Sequence, residues 1–313
     1  MSCTPTIFID GEAGTTGLKI REHLREMPGV SLRAIPQNDR KNPLAKKALL
    51  KEVDMVVLCL PDKAARKTVE ICSTLPEGGP KIVDTSTVHR VSEGWVYGFP
   101  ELNNEQEEAI KKAKWLSNPG CYPTGVIALL RPLIDAGIIQ TSYPITINAI
   151  SGYSGGGKSM IHFYEEDTAP PFEMYSLGLR HKHLPELQKY TMLKHPPIFI
   201  PSVGNFRQGM LISIPLHLNI LEVKTSFKEI YNTLANHYVG RKYVKVVSPM
   251  NDKEILSGKI SPELLNNTNN LELRVFNYEK YNHVVLIARL DNLGKGASGA
   301  AVQNIKLMLG LDD

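Results

Sequence analysis

The chain has 313 residues, 36 of them basic and 32 acidic, for a formal charge of +4. That length supports two domains of ordinary size, each with its own core. So mild a positive balance is no argument for nucleic acid, although it suits an anionic substrate and cofactor. No apolar run approaches the roughly 20 residues of a membrane-spanning helix, and residues 1–5 do not begin a secretory signal. The four cysteines, Cys3, Cys59, Cys72 and Cys121, are widely spaced and form no C-x-x-C pair. Neither a zinc site nor a disulfide framework is expected from them. Reduced thiols and a cytoplasmic protein are the expectation.

Residues 6–10 form a short apolar run with β-branched side chains, read as a buried strand. Gly11, Gly14 and Gly17 follow in a G-x-x-G-x-x-G turn, and Leu18, Ile20, His23 and Leu24 begin a helical pattern. Strand, glycine turn and helix together are the context of a dinucleotide-binding motif, in which the pyrophosphate rests on the helix N-terminus. Thr15 and Thr16 either add hydroxyl contacts or cap the helix. A second strand over residues 30–35 leads to Asp39, Arg40 and Lys41. An acidic residue at this point holds a ribose 2′-OH and a basic one a 2′-phosphate. Arg40 with Lys41 tilts the choice to NADP over NAD.

Residues 53–60 read as a central strand containing Cys59, and residues 64–72 as a helix containing Cys72, both cysteines packing as small hydrophobes. Residues 81–84 form the next strand, with Ser86 and Arg90 just beyond its carboxyl end, where open parallel sheets bind ligands. Arg90 is suited to a bidentate grip on phosphate, whereas His89 is read as loop. Residues 105–114 form a charged surface helix and residues 115–117 a short strand. That strand runs into Ser117-Asn118-Pro119-Gly120-Cys121-Tyr122-Pro123-Thr124-Gly125, followed by an apolar run. A tight turn feeding a helix places Cys121 near unpaired backbone N–H groups and the positive end of the helix dipole. Both favour the thiolate, which is the nucleophile.

Beyond Gly137 the pattern changes. Residues 144–150 form a strand, and residues 151–158 are too glycine-rich for a packed element. They read as a loop in which Ser154 and Lys158 line a site. Arg180, His181, Lys182 and His183 follow closely on one another, ahead of a helix start at Pro185-Glu186. A thiolate nucleophile commonly works with a histidine acid/base, and two histidines at i and i+2 point to opposite sides of an extended chain. No Cys or Asp cluster completes a metal set, so no metal is expected. Strands over 197–200, 210–218, 243–247, 271–276 and 284–290, with one clear helix over 226–238, predict a mixed or antiparallel sheet. Asp291 to Gly299 opens a C-terminal helix with an apolar stripe at Ala301, Ile305, Met308 and Leu309. The expected architecture is α/β, a Rossmann-type parallel-sheet domain plus an α+β catalytic domain with a mixed or antiparallel sheet. Residues 1–142, completed by the helix in 293–313, form the dinucleotide-binding domain. Residues 143–292 form the catalytic and dimerisation domain.

The glycine turn, the Asn-Pro-Gly-Cys-Tyr-Pro-Thr-Gly loop, the His-Lys-His-Leu-Pro-Glu-Leu segment and the Asp-Asn-Leu-Gly-Lys-Gly-Ala-Ser-Gly tail occur in an order that resembles the N-acetyl-γ-glutamyl-phosphate reductases. These are the semialdehyde-forming enzymes of arginine biosynthesis. The resemblance covers essentially the whole chain, in the family's shorter form. Tyr122-Pro123 after the cysteine is its most specific element, while the tail is shared with aspartate-semialdehyde dehydrogenases. The first turn reads Gly-Glu-Ala-Gly where Gly-Ala-Ser-Gly is more usual. The resemblance implies a semialdehyde-dehydrogenase-like fold, Cys121 as the acyl-accepting nucleophile and His183, directly before Leu-Pro-Glu, as acid/base. It implies NADPH held by Gly11, Gly14, Thr15, Thr16, Gly17 and Arg40, with Ser86 near the nicotinamide half and Asn292 bonding its carboxamide. Asn118, Arg90, Ser154, Lys158 and Arg180 are the implied contacts of a small acyl-phosphate substrate. A homo-oligomer, dimer or tetramer, is implied, with no nucleic acid or membrane partner.

Two alternatives share the chemistry, aspartate-semialdehyde dehydrogenase and a lysine-pathway acyl-phosphate reductase. Cys-Tyr-Pro-Thr argues against the first. A non-catalytic dinucleotide-binding regulator leaves the cysteine and histidine unused, and a thiol-dependent acyl hydrolase leaves the glycine turn unused.

Overall fold

Alternating apolar side chains along the N-terminal strands send Ile7, Ile9, Met55 and Val57 to one face of a sheet and Phe8, Val56 and Leu58 to the other. Both faces must be covered, and helices cover them. The computed structural model describes residues 4–40, 42–166, 169–249 and 253–311, so Cys3 and Lys41 lie outside the described residues. The chain divides into two units: Met1–Pro100, Glu105–Pro119 and Ala297–Asp313 form one, Glu101–Asn104 and Gly120–Gly296 the other.

In the first unit the elements run β1 (Thr6–Asp10), α1 (Thr15–Glu26), β2 (Ser31–Arg33), α2 (Pro43–Glu52), β3 (Met55–Leu58), α3 (Asp62–Ser73), β4 (Lys81–Asp84), β5 (Val96–Tyr97), α4 (Gln106–Lys112) and β6 (Trp115–Ser117). The strands lie in the order β2-β1-β3-β4-β6-β5, every neighbouring pair parallel. α1, α4 and the C-terminal helix Gly299–Leu309 pack on one face through Ile20, Leu24, Ile110, Ala301 and Ile305. α2 and α3 pack on the other through Leu49, Leu50, Ala65 and Cys72. The order reverses at β1, so the crevice outside β1 and β3 is the ligand position of such sheets.

Three details differ from the sequence reading. β2 has three residues, ending at Arg33, because the chain turns away after a half-exposed strand. Cys59 lies one residue past β3, where its carbonyl meets the glycine turn. The helix α2 went unread, although Asn42 caps its first amides and Pro43 opens it, a start signal present in the sequence.

The second unit contains α5 (Cys121–Asp135), β7 (Thr146–Gly152), α6 (Gly157–Glu165), β8 (Phe172–Met174), α7 (Leu184–Thr191), β9 (Ile198–Gly204), β10 (Met210–His217), α8 (Phe227–His237), β11 (Val244–Val246), α9 (Lys253–Ser257), β12 (Leu271–Tyr278) and β13 (His283–Leu290). Its sheet runs β11-β12-β13-β10-β7-β9-β8, with β11–β12 and β7–β9 parallel and the other pairs antiparallel. A π-type turn over Gly294–Ser298 then leads to the C-terminal helix, α10 (Gly299–Leu309).

The glycine-rich stretch 151–158, expected as a loop, is ordered structure. Ser151 and Gly152 finish β7, a 3₁₀ turn spans Tyr153–Gly156, and Gly157 opens α6. Gly152 is there for contact, since a Cβ on it would lie 2.6 Å from the Gln208 amide nitrogen, whereas Gly157 has open space around it and takes φ +76°. The helix α5 is buried along most of its length, with Val126, Ile127, Leu129, Leu130 and Leu133 fully enclosed. Each such side chain contributes about 1.5–3 kcal/mol. Gly125 lets α5 lie close on the sheet, since a Cβ there would meet Ile212 at 2.4 Å. The start of α5, where Cys121 sits, is therefore held rigidly.

Candidate active site

The glycine turn after β1 has the backbone that a dinucleotide requires. Gly11 takes φ +94°, and a Cβ there would sit 2.3 Å from the Cys59 carbonyl oxygen. Gly17 passes so near the turn that its Cβ would lie 2.5 Å from the Gly11 oxygen. Gly14 precedes α1, and no side chain caps that helix end. Its first amides, beginning at Thr15 and Thr16, suit a phosphate. The residues present thus fit a nicotinamide dinucleotide. Arg40, expected at the 2′-phosphate, donates to Glu12 of the turn at 2.5 Å, and Arg21 lies 3.3 Å from the same carboxylate.

At the carboxyl end of β4, Asp84 is fully buried and accepts three hydrogen bonds. They come from the Ser86 amide (2.9 Å), the Ser86 hydroxyl (2.7 Å) and His89 Nδ1 (2.6 Å). His89, read as loop, also stacks on Trp95 with ring centroids 4.1 Å apart. Arg90 is buried, and its guanidinium donates to the carbonyls of Asn118 (3.0 Å) and Thr85 (3.3 Å). Asn118 donates to the Ala297 carbonyl (3.0 Å) and accepts from Asn304 (3.1 Å), which also donates to Gly98. Ser86, Arg90 and Asn118 thus belong to one buried network. Asp84, His89 and Asn304 complete it without having been singled out in the sequence.

In the second unit, Cys121 is the first residue of α5, at the positive end of a 15-residue helix. Gly120 precedes it and offers no side-chain cap. Pro123, third in the helix, has no N–H. The Gly120 amide donates to Glu186 at 2.8 Å, and Glu186 lies buried in the first turn of α7. The Tyr122 ring meets His181 and His183 edge-on, each with centroids 6.0 Å apart, and Phe199 at 5.1 Å. The tyrosine is anchored by its hydroxyl, which donates to the Ser202 carbonyl and accepts from Tyr175. Cys121 and His183 are consequently brought to the starts of two helices that are fastened together.

The two histidines differ. His181 Nδ1 accepts from the His183 amide at 3.1 Å, which leaves Nε2 as its protonated nitrogen when neutral. Burial, helped by Lys182, lowers its pKa to about 4. Burial pushes Tyr122 well above the usual phenol range and Tyr175 to about 12, so both remain neutral donors. The other described thiols are also raised by burial, Cys59 to about 12 and Cys72 to about 11.

Gly296 approaches Cys121 closely: a Cβ there would lie 2.8 Å from the Cys121 Cβ. Its neighbour Lys295 is buried and ion-paired to Glu101 at 2.7 Å. Neither was singled out from sequence. Asn292 is buried, accepting from the Gly209 amide (2.8 Å) and donating to the buried Ser154 hydroxyl (2.9 Å). Lys158, near the start of α6, and Arg180, ahead of α7, are exposed. Among the described residues no cluster of His, Cys, Asp and Glu is arranged to hold a metal, and no helix is long and apolar enough to cross a membrane.

Residues 15–112 match the family model described as semialdehyde dehydrogenase, NAD binding domain, and residues 121–292 that of the semialdehyde dehydrogenase dimerisation domain. The fold agrees: aspartate semialdehyde dehydrogenase II from Vibrio cholerae superposes with a TM-score of 0.75 at 15% identity, covering 99% of each chain. A parallel nucleotide-binding sheet and a mixed-sheet unit that opens on a helix-start cysteine define the class as a semialdehyde dehydrogenase. Within it, the chain is 48% identical to N-acetyl-γ-glutamyl-phosphate reductase 2 of Nostoc sp., over 99% of this chain and 98% of that one. It is 49% identical to the corresponding reductase of Chelativorans sp., over 98% of both. The chain belongs to the N-acetyl-γ-glutamyl-phosphate reductase family.

Proposed function

We propose that the chain reduces N-acetyl-γ-glutamyl phosphate to N-acetylglutamate 5-semialdehyde and phosphate, with NADPH, in arginine biosynthesis. Near-full-length identity to reductases of that name supports the substrate. The observation that carries the chemistry is the fastening of the Cys121 helix start to the His183 helix start by Glu186 and Tyr122.

Cys121 is the nucleophile. Its thiolate sulfur attacks the acyl carbon, the carbon–oxygen bond to phosphorus breaks, and inorganic phosphate leaves with the electron pair. The dipole and first-turn amides of α5 favour the thiolate and, as the carbonyl oxygen takes up charge, stabilise that oxygen. NADPH, when bound, supplies the hydride that reduces the resulting thioester. Gly11, Gly14, Thr15, Thr16, Gly17 and Arg40 hold the dinucleotide, and Ser86 and Asn292 serve its nicotinamide half. His183 gives a proton to the oxygen as the thiohemiacetal forms. It takes that proton back as the carbon–sulfur bond breaks and the thiolate returns. His181, held neutral, orients His183 through the hydrogen bond that its Nδ1 accepts from the His183 backbone amide. Lys158 and Arg180, as exposed cations, serve the substrate's phosphate and carboxylate, while Arg90, Asn118 and Ser154, expected beside them, support the site from the buried hydrogen bonds they make within the protein. The protein works in the cytoplasm as a homo-oligomer, dimer or tetramer. The test is the reverse assay: N-acetylglutamate semialdehyde should reduce NADP only when inorganic phosphate is present. Phosphate-independent reduction, or activity confined to aspartate semialdehyde, overturns the reading.

A further inference from the structure

We propose that Glu12 is the residue that sets the discrimination between NADPH and NADH, by competing with the adenosine 2′-phosphate for Arg21 and Arg40. The inference rests on the dinucleotide reading above and adds to it a carboxylate that opposes the favoured cofactor.

Glu12 stands inside the glycine turn, one residue after Gly11. Its two oxygens are divided between two arginines: Oε1 accepts from Arg40 at 2.5 Å and Oε2 lies 3.3 Å from Arg21. Arg21 projects from α1 and Arg40 follows the turn after β2, so the carboxylate links the three segments that surround the end of β1. Beside them is a cleft of about 420 Å³, lined by Ile9, Glu12, Arg21, Arg25, Arg33 and their neighbours. That volume lies within the range of small-molecule pockets, about 300–1,000 Å³. Its lining carries three arginines and one carboxylate, and Arg33 is drawn to Glu52 at 3.2 Å. The cleft borders the glycine turn and the carboxyl end of β2, where a ribose 2′-substituent is read in doubly wound sheets.

The charges then decide the outcome. A 2′-phosphate is a dianion whose oxygens match guanidinium forks. Arg21 and Arg40 are each partly exposed, with side-chain accessibilities of 32% and 46%, so both retain donors facing water. Glu12 holds these forks in place but brings a negative charge against the incoming phosphate. A ribose 2′-OH meets no such repulsion and needs neither arginine. The free protein thus keeps a carboxylate where the cofactor will place a phosphate, which orients the arginines in advance and limits the preference they confer.

The test is calorimetric titration with 2′,5′-ADP and with 5′-AMP, fragments that differ only in the 2′-phosphate, on the wild type, Glu12→Gln and Arg40→Gln. Removing a charge a few ångströms from a dianion near the surface is worth about tenfold. Glu12→Gln should tighten 2′,5′-ADP by about that factor and leave 5′-AMP within about twofold. Arg40→Gln should weaken 2′,5′-ADP by a similar factor and also spare 5′-AMP. The ratio of KM for NADH to that for NADPH should move with these affinities. An unchanged 2′,5′-ADP to 5′-AMP ratio in Glu12→Gln overturns the proposal, as does a selective loss of 5′-AMP, which would make Glu12 a ribose ligand. A wild type that binds neither fragment overturns the underlying dinucleotide reading with it, whereas binding of both with an unmoved ratio removes only this inference.

Discussion

The backbone N–H of Gly120 donates to the buried carboxylate of Glu186 over 2.8 Å, across 66 residues of chain. In a capping box, a Glu at the third helical position reaches back to the N-cap amide. Here the third position is Pro123, and the carboxylate comes instead from the first turn of α7. One hydrogen bond therefore completes the start of the cysteine helix and fixes where the histidine helix begins.

Removing that acceptor should loosen both helix starts. Glu186→Ala leaves the Gly120 amide buried and unsatisfied, at a cost of about 1–3 kcal/mol. A displacement of the order of 1 Å at Cys121 should lower kcat by about 100-fold. Glu186→Gln keeps an oxygen acceptor and should retain most of the stability and rate. Equal loss in both variants, in kcat and thermal midpoint, would show that the carboxylate charge matters and the hydrogen bond does not.

Cysteine reactivity should be confined to one described thiol. With pKa values of about 12 and 11, Cys59 and Cys72 are thiolate in fewer than about one molecule in a thousand at neutral pH. Iodoacetamide at pH 7 should label Cys121 ahead of both, with parallel loss of reduction. Cys121→Ser should abolish reduction and still bind NADPH in a titration. Substantial turnover by that variant would remove the thioester mechanism.

Gly296 is needed for closeness, not for backbone freedom. A Cβ there would stand 2.8 Å from the Cys121 Cβ, with the Asp291 carbonyl oxygen at 3.1 Å, so little can give way. Gly296→Ala should displace Cys121 and cut kcat by about 10- to 100-fold, through misplacement alone. The affinity for 2′,5′-ADP should hardly change. A variant with unaltered kcat would mean that the segment yields.

Stability should fall on the acid side in a way traceable to His181. Its folded pKa of about 4 lies below the 6.5 of an unperturbed histidine. Between those values the unfolded chain binds the proton and the folded one does not, so stability rises with pH through that window and is fully present above it. From pH 7 to pH 5 the loss is about 2 kcal/mol, by linkage. His181→Asn keeps an acceptor for the His183 amide without titrating there. The urea midpoints of the two proteins should therefore diverge as pH falls from 7 to 5, with the wild type losing more. Parallel curves would place the acid sensitivity elsewhere.

Much of this protein is local and was legible as such. The strand, glycine turn and helix of residues 6–26 follow from an apolar run and glycine spacing, and the same rules set Cys121 at a helix start and His183 just ahead of another. These depend on neighbours within a few positions, where periodicity and turn chemistry act directly. The glycines of 151–158 misled because local rules read them as slack, while the folded chain uses Gly152 for a close backbone contact. What the tertiary structure alone decided are the distant partners: Glu186 for Gly120, Glu12 for Arg40, Glu101 for Lys295. Lys295 and Glu101 lie 194 residues apart, and no propensity links them. A buried polar group must find a partner wherever the fold brings one, and only the packed chain determines which carboxylate that is.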